Sequence, residues 1–365
     1  MPRRRRLLHA ATLGTAALAA PALVNAQPAL VWRMPSSFPR SLDALSGGAM
    51  LFARAVAEAT DNRFQIRYSS PGEVVPAFAV LDAVQAGTVE CCHTTSFYFT
   101  GKDPSFAFFT NLPFGMNTWH LNAWMYAGGG IELMAEFLAD YNAVPLTAGN
   151  TSAQMGGFFR RELRGLDDLR GMKFRISGLA GQVMQRLGVV PSQIPGGDIY
   201  PALERGTIDA AEWTGPYDDE KLGFHRVAPW YYYPGFMEGG ALVHVLVNRD
   251  QWAALPKSYQ AVLRMAAAEA NHFTLSKYDA ENPAALRRMV AQGAKLTPFP
   301  REIMDAAYRE AFALFDEIGR NNAKFHAIWE AWSRFRADQF AWSRVCEFGF
   351  DSYFYARQGR AGGGG

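Results

Sequence analysis

Apolar and polar residues alternate in residues 171–178, which have the sequence GMKFRISG. This period of two predicts a strand with one apolar face, and the flanking glycines end the strand on both sides. Arg175 lies near the carboxyl end of the strand, where ligands of open α/β sheets bind. A guanidinium there can hold a carboxylate through two parallel hydrogen bonds. A structural salt bridge or a solvated arginine fits the same position, and the pattern alone leaves these alternatives open.

Strand and helix patterns alternate after residue 28. They predict strands over residues 29–34, 64–69 and 88–94, with helices over 41–60 and from the turn at 71–72 to residue 86. Consecutive strands that are joined by helices pair in parallel, so this region predicts a parallel α/β sheet.

One such unit occurs twice in the chain. Residues 71–91 and 195–210 each contain Pro-Gly, a helix and then Gly-Thr before a strand. A chance likeness of a common helix end and strand start is the alternative explanation. Two related units predict two α/β lobes, and the cleft between two lobes is a natural binding site.

The remaining patterns predict mainly helices. Residues 119–141 have a helical pattern that three glycines interrupt, and residues 241–248 predict an apolar strand that crosses back between the lobes. Residues 256–292 and 300–337 predict two long amphipathic helices. The C-terminal end is rich in aromatic residues, which predicts packing against a lobe or against a second copy of the chain.

The first 26 residues have the composition of an export signal. A run of arginines at 3–6 precedes a short apolar stretch and a small-residue cleavage site, and the two leucines after the arginines suggest the twin-arginine route. Removal of this segment takes away four of the 36 basic residues and none of the 34 acidic ones, so the formal charge changes from +2 to −2. We therefore expect no nucleic-acid binding, and no later apolar run is long enough to span a membrane.

Several polar residues lie at the ends of predicted strands. Glu212 and Trp213 follow a strand at 208–211, Gln154 begins another strand, and Glu238 precedes the apolar strand. Oxygen ligands from Gln154, Glu212 and Glu238 would suit a hard cation such as Na⁺ or Ca²⁺. Scattered carboxylates are more often surface residues, so this spacing alone is a weak signal.

Other residues are candidates for the wall of a binding pocket. Tyr98 and Asn150 are candidate polar groups, and Trp213 is a candidate apolar wall. Tyr98 fits equally well as a core aromatic residue whose hydroxyl donates to a backbone carbonyl. The acidic run at 218–220 predicts a solvated helix start, because carboxylates there interact favourably with the helix dipole.

The chain lacks common catalytic motifs. Gly-x-Ser-x-Gly, His-Glu-x-x-His and Cys-x-x-Cys are absent, and three cysteines do not make a disulfide framework. These common motifs therefore give no support for an enzyme. Glu212 and Glu238 could still form the acid/base pair of an exported hydrolase, and this alternative stays open.

Several segments of the chain resemble the extracytoplasmic solute-binding proteins of tripartite ATP-independent periplasmic (TRAP) transporters. The resemblance rests on the export signal, GTVE at 87–90, GMKFR at 171–175, GTIDA at 206–210 and the long C-terminal helices. It implies an α/β, two-lobed periplasmic binding protein fold with a hinge between the lobes and long C-terminal helices. It also implies a periplasmic location, TRAP membrane subunits as partners, and an Arg175 that pairs with the carboxylate of the ligand.

A narrower resemblance covers FYFTGK at 97–102 and EWTGPYDD at 212–219, together with Gln154. It is to a branch of that family whose members bind 2-oxo or 2-hydroxy monocarboxylates with a metal cation. The implied ligand is pyruvate or a similar 2-oxo acid, taken up by secondary-active transport. Lactate, another carboxylate or a sugar acid stays open as the ligand.

The same branch implies a cation site beside the arginine. The cation, Na⁺ or Ca²⁺, would be held by Gln154, Glu212, the backbone of Trp213 and Glu238. It would contact the second oxygen of a ligand whose carboxylate is held by Arg175. Two adjacent ligand oxygens can chelate a hard cation, so the implied chemistry is consistent.

The expected organisation follows from these segments. We expect an export signal at 1–26, lobe I at 27–150, lobe II at 151–250, helices that bridge the lobes at 251–330, a C-terminal helical extension at 331–358 and a flexible tail at 359–365. Some members of the resembling family dimerise through extended C-terminal helices. A homodimer through residues 331–358 is therefore one expected arrangement.

Overall fold

The computed structural model describes residues 30–361, with side chains described to residue 357. The predicted export signal and the last four residues of the predicted tail lie outside the described residues. The strands are β1 (Leu30–Pro35), β2 (Phe64–Ser69), β3 (Cys91–Thr94), β4 (Ala143–Asn150), β5 (Gly157–Phe159), β6 (Lys173–Arg175), β7 (Val190–Ser192), β8 (Ala210–Ala211), β9 (Trp230–Tyr233), β10 (Leu242–Asn248) and β11 (Lys295–Pro298).

Helices account for most of the rest of the described chain. They are α1 (Leu45–Ala59), α2 (Val80–Gln85), α3 (Thr118–Ala127), α4 (Gly130–Ala139), α5 (Gly178–Arg186), α6 (Gly196–Glu204), α7 (Pro216–Leu222), α8 (Arg249–Ala254), α9 (Lys257–Ala291), α10 (Arg301–Asn321), α11 (Ala323–Val345) and α12 (Glu347–Ala361). None of the helices within residues 30–361 has the length and apolarity needed to cross a bilayer. The mixed α/β class predicted from the sequence is confirmed.

The first sheet group consists of β1, β2, β3, β4 and β10. Strands β1 and β2 pair in parallel, as predicted, and Ser36 just after β1 forms a parallel bridge with His93 of β3. Strand β10 lies between β3 and β4 and runs antiparallel to both. The parallel arrangement predicted for the strands at 29–34, 64–69 and 88–94 is therefore confirmed. The antiparallel strand β10 between β3 and β4 was not predicted, because it returns from the second sheet instead of following a helical crossover.

The second sheet has six strands in the order β11-β9-β5-β8-β6-β7. Strand β5 is antiparallel to β8 and β9, whereas β6 is parallel to β7 and β8. Arg175 is the last residue of β6 and pairs with Ala211, the last residue of β8. The side chains that follow these two strands therefore lie together at one edge of the sheet.

The repeated unit has the same local geometry in both copies. Gly87 and Gly206 follow α2 and α6 with φ of 68° and 70°, a left-handed conformation that glycine adopts without strain. The next residue donates its N–H back into the helix in each case, from Thr88 to Ala83 and from Thr207 to Ala202. Each unit then continues into a buried strand.

The bridging helix α9 contacts both parts of the molecule. It packs against α1 and β4 in the first sheet group and against α7 beside the second sheet. The hydroxyl of Tyr278, on α9, donates to Asp218 Oδ2 at 2.6 Å, and the hydroxyl of Tyr231 donates to Asp219 Oδ2 at 2.6 Å. Asp218 and Asp219 are fully buried, so the prediction of a solvated acidic helix start is wrong at these two positions.

The C-terminal region consists of three helices rather than one long helix followed by an extension. The prediction of one helix over 300–337 is wrong. Asn322 has an extended backbone conformation and separates two helices, α10 and α11. Its Oδ1 accepts from Phe325 N at 2.9 Å and caps α11, and its Nδ2 donates to Asp103 Oδ1 at 3.1 Å. A second break at Cys346 separates α11 from α12.

We predict that Tyr278→Phe lowers the free energy of unfolding by about 1.5–3 kcal/mol, the range for a hydrogen bond to a charged group. Burial raises the pKa of Asp218 to about 6, so the carboxylate is ionised at pH 8 and urea unfolding should be measured there. Tyr308→Phe is the matched control, because the Tyr308 side chain is 47% exposed. Equal stability of the two variants would contradict the role given to the Tyr278 hydroxyl.

Candidate functional site

Arg175 is a fully buried arginine with one unused donor. Its side chain is 1% exposed, its Nε donates to Ile194 O at 3.0 Å, and its Nη1 donates to Glu212 O at 2.5 Å. Nη1 also lies 3.4 Å from Glu212 Oε2. Within the described part of the chain, Nη2 has no hydrogen-bond partner. A buried guanidinium donor of this kind is suited to an anionic ligand.

The local backbone fixes the position of Glu212 relative to Arg175. Glu212 N donates to Arg175 O at 3.0 Å, which continues the pairing of β8 with β6 by one residue. Trp213 follows and places its ring 4.9 Å from the guanidinium carbon of Arg175. Gly196 allows this ring position, because a Cβ there would lie 2.6 Å from the Trp213 ring.

Gln154 lies between two buried carboxylates. One terminal atom of its amide is 2.8 Å from Thr151 Oγ1, and the other is 3.1 Å from Glu238 Oε2 and 3.2 Å from Glu212 Oε1. If the second atom is nitrogen, the amide donates to both carboxylates. If it is oxygen, three side-chain oxygens converge, as they would around a hard cation. In one orientation the amide can therefore donate to the glutamates without a cation, and in the other it can supply an oxygen ligand to a cation.

Burial raises the pKa of both glutamates. Glu212 is 2% exposed and Glu238 is 5% exposed. Burial, with the nearby charge of Glu238, raises the pKa of Glu212 well above its usual range. Burial also raises the pKa of Glu238 to about 7, although Arg175 and Gln154 oppose this change. Two adjacent buried carboxylates need positive charge to remain ionised together.

These groups face a small cavity, in which the centres of water-sized molecules have a volume of about 20 Å³ available. Its lining comes from both sheet groups and combines apolar side chains with polar ones. The lining residues are Phe38, Leu45, Thr95, Phe97, Tyr98, Thr151, Gln154, Arg175, Trp213, Thr214, Glu238, Ala241 and Val243.

The structure brings most of the predicted site residues together. Gln154, Tyr98, Arg175, Trp213 and Glu238 line the cavity, and Glu212 contacts Arg175 just outside it. Tyr98 is 7% exposed, and its backbone carbonyl accepts from Gln193 Nε2 at 3.2 Å.

Asn150 does not line this cavity. Its Oδ1 accepts from Ser152 N at 2.9 Å, which stabilises the turn after β4, where Ser152 has a positive φ of 59°. Thr151, the residue between them, lines the cavity instead and was not predicted. Thr151 Oγ1 accepts from Ala241 N at 2.9 Å, so one hydroxyl links Gln154 to the segment after Glu238. No spacing in the sequence signals this link.

A second cluster joins the two sheet groups beside the cavity. Asp43, just before α1, accepts from Tyr217 Oη at 3.0 Å and from Lys277 Nζ at 2.7 Å, and it also pairs with Lys221. Burial opposes ionisation of Asp43, but hydrogen bonds from Lys221 and Lys277 hold its pKa well below the usual range. Asp43 therefore connects the segment that carries Leu45 to helix α7.

A cation site in this cavity would need ligands other than His, Cys, Asp and Glu side chains to be complete. Over residues 30–357, no group of three or more His, Cys, Asp or Glu side chains is arranged to hold a metal ion. Glu212 and Glu238 supply two carboxylates, and Gln154 supplies an amide oxygen. This all-oxygen donor set fits a hard cation and does not fit zinc or copper.

The family described as bacterial extracellular solute-binding protein, family 7, matches residues 36–321 of this chain. The chain belongs to this family. The family resemblance seen in the sequence is thereby confirmed, and members of the family are solute-binding receptors rather than enzymes.

Three relatives of this solute-binding protein are similar over almost the whole chain. A monocarboxylate 2-oxoacid-binding periplasmic protein of Nostoc is 46% identical over 364 residues, which are 98% of this chain and 100% of the relative. A TRAP transporter solute-binding protein of Bordetella bronchiseptica is 47% identical with a TM-score of 0.90, covering 92% of this chain and 100% of that one. A TRAP periplasmic solute-binding protein of Pseudoalteromonas atlantica is 33% identical with a TM-score of 0.86, covering 89% and 99%.

The two solved relatives contain small molecules and cations. The Bordetella bronchiseptica protein is a mixed-occupancy dimer with copurified calcium and picolinate in one active site and an apo second site. The Pseudoalteromonas atlantica protein contains sodium and pyruvate.

We predict that the solute-binding protein without cation gains stability as the pH falls from 8 to 5, relative to Glu238→Gln. The pKa of Glu238 is about 7 in the folded protein against 4.5 for an ordinary glutamate, so the folded state binds more protons in this window. Its contribution is fully present below pH 4.5 and is lost as the pH rises through 7. Urea unfolding with a chelator at each pH measures the difference.

Glu204→Gln, at an exposed position on α6, is the matched control for that experiment. Its pH dependence should follow the wild type. If Glu238→Gln has the same pH dependence as the wild type, the burial of an ionisable Glu238 beside Gln154 is contradicted.

Proposed function

We propose that this protein captures a small 2-oxo monocarboxylate, such as pyruvate, together with a bound cation, and delivers it to TRAP membrane subunits. The observation that supports this most directly is Arg175 Nη2, which has no hydrogen-bond partner among residues 30–357 and lies in a cavity that Gln154 and Glu238 also line. An anion and a cation are thus both expected in one small site.

The proposed ligand contacts use the groups already described. The carboxylate of the ligand accepts from Arg175, and the 2-oxo oxygen lies toward the side-chain oxygens of the site. The cation, Na⁺ or Ca²⁺, would be held by Gln154, Glu212, the backbone of Trp213 and Glu238, and would supply positive charge to two adjacent ligand oxygens. A 2-oxo acid has these two oxygens in a chelating arrangement.

The charges and size of the site favour a monocarboxylate. Of the lysines and arginines described, Arg175 alone is fully buried, so no second cationic side chain is in place for a second carboxylate. Phe38, Leu45 and Val243 form an apolar wall of this small cavity. A short apolar ligand chain therefore fits better than a dicarboxylate or a sugar acid.

The relatives support the same ligand class. The Nostoc relative is named for binding monocarboxylate 2-oxoacids, and the Pseudoalteromonas atlantica relative contains pyruvate with sodium. Picolinate, found with calcium in the Bordetella bronchiseptica relative, also has an acceptor atom next to its carboxylate. We extend this chemistry to the present chain on the basis of its own Arg175, Gln154 and Glu238.

The proposed mechanism includes closure of two lobes around the ligand. We assign residues 27–150 to lobe I and 151–250 to lobe II, except that β10 pairs with lobe I strands, and we assign helix α9 to the bridge. Asp43 with Tyr217 and Lys221 would hold the closed state across the cleft. A ligand drives closure only if it binds the closed state more tightly than the open state.

We also propose that the protein is periplasmic and is exported by residues 1–26. The basic start and apolar stretch of this segment support export, and the Nostoc relative is named as a periplasmic protein.

We predict that pyruvate binding to purified protein in the presence of Ca²⁺ is weakened at least about tenfold by Arg175→Lys and more by Arg175→Ala. Lysine keeps the charge but has no second parallel donor, whereas alanine removes both and should cost about 2–5 kcal/mol. Isothermal titration calorimetry measures the affinity, and circular dichroism checks that each variant is folded.

Arg226→Ala, at an exposed position of the same lobe, is the control and should bind like the wild type. Absence of saturable binding of pyruvate, longer 2-oxo acids and lactate to the wild type would overturn the proposed function. Turnover of the bound compound, instead of its return unchanged, would favour the hydrolase alternative.

We further propose that the protein forms a homodimer through an aromatic C-terminal surface. This surface is defined by exposed side chains on the last part of α11 and on α12, namely Phe340, Trp342, Val345, Phe348, Phe350, Tyr353, Phe354 and Tyr355, which are 44–75% exposed. So many exposed aromatic residues on neighbouring helical turns indicate an interaction surface. A second copy is the proposed partner, because the Bordetella bronchiseptica relative is a dimer.

We predict that Phe348→Asp combined with Tyr355→Asp weakens this dimer at least about tenfold, since each change places a charge in an apolar interface. Sedimentation equilibrium of the purified protein measures the dimer dissociation constant. Met265→Asp, at a 65% exposed position on α9, is the control and should leave the dimer intact. A wild type that stays monomeric at high concentration would contradict the dimer.

A further inference from the structure

One ion pair connects the two proposed lobes directly. Within residues 30–357, Asp43 and Lys221 form the one ion pair that joins residues 30–150 to residues 151–250. The other ion pairs lie within one of these two ranges or involve the helices α9, α10 and α11. Both side chains are partly exposed, at 47% for Asp43 and 26% for Lys221. A single exposed pair contributes little to stability, so the contacts around this pair decide its effect.

The Asp43 carboxylate accepts hydrogen bonds from three side chains. Its Oδ2 accepts from Tyr217 Oη at 3.0 Å and from Lys277 Nζ at 2.7 Å, and its Oδ1 accepts from Lys221 Nζ. Lys277 Nζ also donates to Asp43 O at 3.3 Å, and Lys221 Nζ lies 3.2 Å from the centre of the Tyr217 ring. We call these four residues the Asp43 cluster. A network that satisfies both oxygens of one carboxylate holds it more firmly than an isolated surface pair does.

The segment at 38–45 places Asp43 beside the cavity but not in its lining. Phe38 and Leu45, at the two ends of the segment, both line the cavity, whereas Asp43 does not. The residues on either side of Asp43 are fully buried, so the backbone of this segment is packed in the core. Asp43 therefore connects a segment that forms cavity wall to helix α7, on the other side of the cleft.

We propose that the Asp43 cluster is a latch that sets how long the closed protein retains its ligand. In the closed state the cluster holds the segment at 38–45 to α7 and α9, and the ligand leaves only after these contacts break. Asp43 is thus a positioning residue, which acts through the cavity wall at Phe38 and Leu45. The inference rests on the proposed function and deepens it, because it assigns the rate of release to residues that contact neither ligand nor cation.

The latch acts on release of the ligand more than on its capture. A ligand enters and leaves the open form, in which α7 is separated from Asp43 and the cluster is not formed. Breaking the cluster is therefore a step in release, whereas the first encounter with the ligand does not involve it. Loss of the cluster stabilises the open form relative to the closed one, so the closed state has a shorter lifetime. The change in affinity then appears mainly in the dissociation rate.

Asp43→Asn tests the latch, because it removes the charge and keeps an oxygen that accepts from the Tyr217 hydroxyl. Pyruvate binding to the purified protein in CaCl₂ is followed by stopped-flow tryptophan fluorescence, since Trp213 lines the cavity. The slope of the observed rate against pyruvate concentration gives the association rate constant, and its product with the dissociation constant from calorimetry gives the dissociation rate constant. We expect the dissociation rate constant to rise at least about fivefold and the association rate constant to change less than about twofold. An unchanged dissociation rate constant, or a loss of affinity that comes from slower association, overturns the inference.

Asp140→Asn is the matched control. Asp140 pairs with Lys324 of α11, its side chain is 59% exposed, and it does not line the cavity, so its rate constants should match those of the wild type. Lys221→Met removes the partner of Asp43 across the cleft. Added to Asp43→Asn, it should change the dissociation rate little further, because both substitutions break the same contact. Fully additive effects of the two substitutions overturn the inference.

Ionic strength distinguishes a latch from a general effect on the fold. Raising the choline chloride concentration at constant CaCl₂ should speed pyruvate release from the wild type more than from Asp43→Asn, because salt screens the attraction between Asp43 and Lys221 at the surface. The factor by which Asp43→Asn speeds release should be the same for pyruvate and for a longer 2-oxo acid, since the cluster contacts neither. An equal salt dependence in the wild type and the variant overturns the inference.

Small-angle X-ray scattering separates failure of the latch from failure of the proposed function. If no 2-oxo acid binds to the wild type, the proposed function fails and scattering from the protein without ligand decides on the latch. A larger radius of gyration for Asp43→Asn than for the wild type supports the latch, because fewer molecules are then closed. Equal radii overturn it.

Discussion

The buried pair of Arg175 and Glu212 is the interaction on which the site depends. Arg175 ends β6, Glu212 directly follows the neighbouring parallel strand β8, and Glu212 N donates to Arg175 O, so the pairing of β6 with β8 fixes the pair. Removing two charges from water is expensive, and a single pair rarely recovers that cost. The site therefore surrounds the pair with further polar contacts, from Ile194 O on Arg175 and from Gln154 beside Glu212.

The same cost explains why the free Nη2 and the second glutamate are found together. Glu238 adds a buried carboxylate beside Glu212, and Arg175 keeps one donor without a partner among the described residues. Each feature alone would destabilise the folded protein. Together they form a site that an anion and a cation can satisfy at the same time, which is how a receptor becomes most stable with its ligand bound.

Local patterns in the sequence were sufficient to predict the strand that carries Arg175. The alternation in residues 171–178 correctly placed Arg175 at the carboxyl end of a strand, since side-chain period depends only on neighbouring residues. The Gly-Thr motifs at 87–88 and 206–207 also indicated helix ends, because a positive φ after a helix strongly favours glycine.

These local patterns could not predict contacts between residues that are far apart in the sequence. The burial of Asp218 depends on Tyr278, which is 60 residues away, and local charge patterning predicted the opposite. Strand β10 runs antiparallel to β3 because the chain returns to it from the second sheet. The break before α11 involves the contact of Asn322 with Asp103. The convergence of Gln154 and Glu238 on Glu212 came from family resemblance, since loops that are distant in sequence create it.

The arrangement has a consequence for how the proposed ligand and cation would bind. Arg175 holds positive charge in the site, and the oxygens of Glu212 and Glu238 converge beside it on the Gln154 amide. A cation would bind the glutamates in their ionised form and attract the carboxylate of a ligand, and the bound carboxylate would in turn hold the cation more tightly. The two affinities must then increase each other by the same factor, as thermodynamic linkage requires. A closed cleft that holds both ligand and cation is therefore favoured over a cleft that holds either one alone. The arrangement of charges thus makes capture of the ligand depend on the cation.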